Sequence, residues 1–208
     1  MRALVLPVHP GLAGSSRLPV LAQDAGRIQL AEIAWLLGAG VTATLASAFL
    51  EFGLRIPGHA ILRAVLPMAL GLAVAPRRMA GTIMGSGALG AALPIQMLHP
   101  GSLGAGALTS LLLTGPLLDL ALWRASRGRG LYVGFALAGL ASNLAALGVR
   151  AGAKLAGLEA LGKRPFAEWL PQAIFTYAVC GLVAGLLSAW VCFRFASPQR
   201  TNAEEAAG

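Results

Sequence analysis

The sequence predicts an all-α integral membrane bundle of about six transmembrane helices. Three observations predict it. Of the 208 residues, 57% are hydrophobic and only 12% are charged, against about 25% charged in a typical soluble domain. The mean hydropathy is +0.73. The 27 glycines fall largely inside apolar runs, where small residues let membrane helices approach closely. A soluble helical bundle needs a polar face on each helix, and most of these segments lack one.

Residues 1–27 hold short apolar patches broken by Pro7, Pro10 and Pro19. They contain no long apolar run with a small-residue cleavage site, so the expectation is an N-terminal tail, mostly disordered or surface-lying, and not a cleaved signal peptide. Residues 28–193 form the transmembrane domain. A helix needs about 20 apolar residues to cross the hydrocarbon core. The six candidates are Ile28–Leu50, His59–Ala75, Ala80–Leu98, Leu103–Trp123, Leu131–Val149 (extended toward Leu158) and Leu170–Phe193. Glu32 sits near the start of the first, Arg63 and Pro67 in the second, and Asp119 near the end of the fourth. Residues 194–208 read as a disordered cytoplasmic tail.

The net charge of +8 would raise nucleic acid as a partner in a soluble protein. Here the basic residues lie mostly between apolar runs, so topology accounts for them and no nucleic acid is implied. Arg77 and Arg78, Arg124, Arg127 and Arg129, and both terminal segments alternate with the Lys- and Arg-free join after the third run. That pattern places both termini in the cytoplasm of a multi-pass protein of the cell (inner) membrane. Arg55, Arg150, Lys154, Lys163 and Arg164 break the bias and fall on the outer side. Cys180 and Cys192 share one helix and cannot pair with each other, so they read as packing residues.

The chain pivots on Ala48–Val74, where Glu51, Arg55, His59 and Arg63 follow one another at four-residue steps between two apolar runs. Ionisable groups near a bilayer core need a partner, a wet cavity or a ligand. Arg63 is expected to pair with Glu51 as a structural contact. Gln96, His99, Lys154, Trp169, Thr176 and Tyr177 add polar or aromatic groups on the same side. Several convergent polar groups among aromatic walls suit a small-molecule site, and the cationic excess suits a carboxylate or phosphate. The expected solute contacts are Glu51, Arg55, His59, Asn143, Arg150 and Gln172. Taken singly, each of these side chains is also explained by snorkelling or by the interfacial aromatic belt.

No metal centre, cofactor or catalytic residue is expected. His59, His99 and Met97 are too few donors for a transition-metal site. The stretch Gly81–Gly90 lacks the lysine and the strand–helix setting of a phosphate loop. Asp119 has no second buried acid to form a proton path and is expected to make a local ion pair or a hydrogen-bonded bend. The first run carries small residues at every fourth position: Gly38, Thr42 and Ala46, and beside them Ala39, Ala43 and Ser47. Such stripes serve internal packing or the docking of another membrane chain.

The size, the six runs, the small-residue pattern at Ala39 and Ala43, and the Gly-rich fourth run Gly106–Leu122 together resemble the substrate-binding S component of an energy-coupling-factor transporter. The resemblance implies that Ala39, Ala43 and Ser47 dock a coupling transmembrane subunit. It implies a solute pocket in the outer half, closed by the join Phe52–His59. It also implies partner ATPase subunits, since this chain has no nucleotide-binding domain. The cobalt and nickel members begin Met-His, whereas this chain begins Met1-Arg2, so no metal is carried over. The expected function is uptake of a small solute, such as a vitamin or other anionic metabolite. The rivals are a non-catalytic membrane scaffold or assembly protein and, behind it, a membrane enzyme acting on a lipid head group.

Overall fold

In a computed structural model, residues 5–21, 26–50, 58–123, 125, 128–157 and 165–195 are described. After a short helix α1 (Pro10–Ala13) come six long helices. They are α2 (Leu30–Phe49), α3 (Ile61–Val74), α4 (Ala80–Leu98), α5 (Ala105–Leu122), α6 (Arg129–Leu155) and α7 (Phe166–Cys192). Their order matches the six expected runs, with ends shifted by a few residues. By length and composition α2, α5, α6 and α7 are able to cross a membrane, and the chain is a helical membrane protein.

The helices α2, α4, α5, α6 and α7 neighbour one another in that order, and α3 closes the ring between α7 and α2 while also touching α4, α5 and α6. Glycine sets these spacings. A Cβ on Gly181 would stand 2.6 Å from the carbonyl oxygen of Gly139, so α6 and α7 cross backbone to backbone. Gly81 and Gly115 do the same for α4 and α5, and Gly40 lies on the backbone of α4 at Met84 and Ala88. Close contact of this kind replaces the hydrophobic effect as the adhesive between helices in lipid.

Helix α3, at 14 residues, rises only about 21 Å, short of the roughly 30 Å hydrocarbon core. It lies deep: Ala64, Val65, Met68, Ala69 and Ala73 have no exposed surface. Its last carbonyls have no helical partners, and an unpaired carbonyl in low dielectric is costly. The N-terminal segment supplies the missing donors. Ser16 Oγ donates to Ala73 O at 2.7 Å, Leu21 N to Val74 O at 2.8 Å, and His9 N to Pro76 O at 2.8 Å. The same strap serves the C-termini of α5 and α7. His9 Nε2 donates to Leu122 O at 2.7 Å, and Arg17 donates from its backbone N to Cys192 O at 3.0 Å and from Nε to Phe193 O at 3.1 Å.

The segment expected as a mostly disordered or surface-lying tail is described over residues 5–21. They run across one end of the bundle with His9, Leu12 and Ser15 buried, because three helix C-termini end there and need donors. At the other terminus Arg194 N donates to Ser15 O and Phe195 packs edge-on to Tyr132. The remaining tail, 196–208, lies outside the described residues.

Candidate functional site

At the end of the bundle opposite the strap, the start of α3, the first turns of α5, the C-terminal half of α6 and the middle of α7 enclose a cavity of about 380 Å³. Each wall follows from helix periodicity. On α6, Asn143, Ala146 and Arg150 are three and four residues apart and share one face. On α5, Gly106, Ala107 and Ser110 do the same, and Gly104 at its N-cap leaves open space where a side chain would stand. On α7 the buried stripe is Ala173, Tyr177, Gly181 and Ala184, and Tyr177 reaches the cavity.

Arg150 and Tyr177 form its polar pair: Arg150 Nη1 donates to Tyr177 Oη at 3.1 Å. Asn143 lies deeper and is 3% exposed. Its Nδ2 donates to Gly58 O at 3.1 Å and to Tyr177 O at 2.7 Å, tying the turn before α3 to α7. Gly58 is held in the left-handed region, φ +88°, and a Cβ there would lie 3.0 Å from Tyr177 Cα. Only glycine meets both demands. Beneath Ser110, Thr114 Oγ1 donates to Ser110 O at 2.6 Å and sits 2.6 Å from Ser142 Oγ, so a buried hydroxyl cluster underlies the floor. Further out on α6, Lys154 Nζ stands 4.9 Å above the Trp169 ring, a cation–π contact.

Of the six expected solute contacts, the structure brings His59, Asn143 and Arg150 to this one cavity. Gln172 is not among its lining residues. It is exposed, one residue off the buried stripe of α7, which turns it about 100° away. Glu51 and Arg55 lie outside the described residues, as do Arg2, Arg124, Arg127, Lys163, Arg164 and Arg200. Sequence reasoning named Tyr177 only among outer aromatic groups. It missed Gly104, Gly106 and Ser110, whose signal was a small-residue start to α5 carrying one hydroxyl.

Other polar residues turn out to hold the fold. Arg63 Nη1 donates to Leu50 O and to Ser47 O, capping the C-terminus of α2. Gln96 pins the following turn, with Nε2 donating to Leu103 O at 3.0 Å and Oε1 accepting from Leu103 N at 3.2 Å. His99 is exposed and packs edge-on to Phe49. Asp119, expected to make a local ion pair or a hydrogen-bonded bend, instead joins two helices: its carboxylate accepts from Gly81 N, Thr82 N and Thr82 Oγ1 at 2.7–2.9 Å.

The expected docking stripe is corrected in part. Ala43 is wholly buried, and Ala39 lies where a Cβ on Gly71 would meet it at 2.9 Å. Ala43 thus belongs to the core, because the apolar stripe of α2 turns inward there, and Ala39 packs against Gly71 of α3; Ser47 is half-buried. The neighbouring stripe, Ala34, Trp35, Gly38 and Thr42, faces outward and with Ala39 borders a groove closed by Pro67, Leu70 and Gly71 of α3.

No protein-family model, no curated protein and no solved structure matches this chain.

Proposed function

We propose that this chain is the solute-binding membrane subunit of an uptake system, and that an anionic small molecule sits in the cavity between α3, α5, α6 and α7. The observation that carries the reading is the convergence of Arg150, Tyr177, Asn143 and His59 on one cavity of about 380 Å³. Such a volume is within the range of small-ligand pockets. A guanidinium bordering it favours a carboxylate or phosphate. The resemblance to an S component adds support: its pocket is expected beside the join between the first two runs, and Gly58 and His59 end that join. Handing the solute inward would then fall to a coupling subunit and ATPase chains. The outward stripe through Gly38 and Thr42 is the face of α2 left for such a partner. Arg17, Arg27, Arg77, Arg78, Arg129 and Arg194 gather at the strap end, which supports a cytoplasmic strap and termini.

The scaffold reading has one observation in its favour. Both Nδ2 protons of Asn143 are spent on Gly58 O and Tyr177 O, as a purely structural polar contact would have them. Native mass spectrometry and thermal unfolding of the gently solubilised protein, with a panel of carboxylates and phosphates, separate the two. The uptake reading expects a bound or stabilising anion whose effect is lost in Arg150→Gln and in Gly104→Leu, which fills the cavity. A protein that stays bare, is stabilised by no member of the panel and keeps its stability in Arg150→Gln is a scaffold.

A further inference from the structure

The cavity has an apolar neighbour on the outside of the bundle. A groove of about 340 Å³ runs between α3 and α7 along Leu62, Phe175, Val179, Val183 and Leu187 and begins at His59. His59 lines both hollows. The groove walls face outward: Phe175 is 70% exposed and Val183 52%. The described groove lining holds one hydroxyl, that of Thr176, and it donates back to Gln172 O at 3.0 Å. From Phe175 to Leu187 the helix rises about 18 Å, close to the roughly 15 Å depth of hydrocarbon in one leaflet.

We propose that the cavity's ligand is a membrane amphiphile, with an anionic head group beside Arg150 and Tyr177 and one hydrocarbon chain laid in the α3–α7 groove. His59 stands at the junction of head and chain. This rests on the cavity being a ligand site and names the class of its ligand. Three features carry it together. The cavity carries Asn143, Arg150 and Tyr177 among its lining residues, whereas the groove lining is almost wholly apolar. The two share a residue. The groove is as deep as one leaflet and opens sideways, where acyl chains lie. A fully water-soluble solute would leave the groove without a part.

The test uses the full chain, delipidated in an uncharged maltoside, with native mass spectrometry and thermal unfolding below the micellar concentration of each probe. The probes are butyl phosphate, tetradecyl phosphate and tetradecyl phosphocholine. The proposal expects tetradecyl phosphate to bind at least tenfold tighter than butyl phosphate. Val183→Trp, which fills the groove from a lipid-facing position, should remove that advantage and leave butyl phosphate binding unchanged. Arg150→Gln should erase the preference for phosphate over phosphocholine. Phe175→Ala, which takes away one groove wall, gives a second reading should the tryptophan variant not fold. Equal binding of the two phosphates, untouched by either groove variant, overturns the amphiphile and leaves the cavity as a site for a soluble anion. Equal binding of tetradecyl phosphate and phosphocholine, indifferent to Arg150→Gln and Gly104→Leu, is bulk lipid in the groove and overturns it too. Failure of all three probes to bind overturns both this proposal and the cavity's assignment as an anion site.

Discussion

Arg77 and Glu32 form an ion pair with no solvent exposure on either side chain, although 45 residues separate them. The geometry is bidentate, Nε to Oε2 at 2.8 Å and Nη2 to Oε1 at 3.0 Å. Nη1 also donates to Leu6 O and Nη2 to Arg27 O, each at 2.9 Å. One side chain therefore joins the strap, the approach to α2 and the turn between α3 and α4. A buried charge is tolerable only when paired and hydrogen-bonded, and this one makes four hydrogen bonds, two of them to its partner carboxylate.

Breaking that pair from one side should be costly. Arg77→Met removes the donors to a buried carboxylate, to Leu6 O of the strap and to Arg27 O before α2, and a loss of about 3–5 kcal/mol is expected. Combining it with Glu32→Leu should recover part of the loss, since the uncompensated charge is gone. Thermal unfolding of the two single variants and the double variant in detergent measures the coupling. Additive losses would mean that the pair is not the contact that matters.

Asp119 caps a helix other than its own. Its carboxylate serves the first turn of α4, where Met79 stands in the left-handed region at φ 63° and offers no side-chain cap. Asp119→Ala should cost about 1–2 kcal/mol, the range for a lost N-cap, and Asp119→Asn less, because an amide oxygen still accepts. The ordering of the two variants in a melting experiment checks this.

The α6–α7 crossing should be intolerant of a single methyl group. In Gly181→Ala the new Cβ would meet Gly139 O at 2.6 Å and Leu140 Cα at 2.9 Å, and the helices must separate. Over-packing of this kind costs about 1–3 kcal/mol. Gly38→Ala, with nothing within 4 Å, should be neutral or slightly stabilising. Parallel unfolding curves of the two proteins decide it.

The strap should shield a thiol. Cys192 has no exposed surface, and its carbonyl accepts from Arg17 N beneath the strap. In a Cys180→Ser background the full chain should resist maleimide, whereas removal of residues 1–21 should make Cys192 reactive and lower the melting temperature. Equal labelling rates in the two proteins would mean that other side chains, not the strap, cover the thiol.

Much of the fold was legible because a lipid-facing helix must be apolar along its length, so the six runs from Ile28 to Phe193 are visible without knowing any contact. The site was half legible. His59, Asn143 and Arg150 stand out as polar residues in apolar runs, and three such residues do converge. Gln172 looked equivalent on the same grounds, yet sequence spacing does not say which way a helix is rotated, and α7 turns it outward. Gly104 and Gly106 were illegible as cavity residues because their contribution is the absence of a side chain, in Gly106 beside Arg150.

By itself the sequence determined the class of the protein, a bundle of about six apolar helices, and the number and order of those helices. It determined the scarcity of charges that makes each one meaningful. Only the tertiary structure decided which charges meet. Arg77, read along the chain, is a topology signal beside Arg78, but packing buries it against Glu32 and the strap. The strap looked like a tail because its residues carry no periodicity. It is held because α3 is too short to cross the bundle and, with α5 and α7, presents unpaired carbonyls at one end. Hydropathy along a chain reports each residue's own cost in lipid. Which donor meets which carbonyl depends on where helices end relative to one another, and that is a property of the assembled bundle.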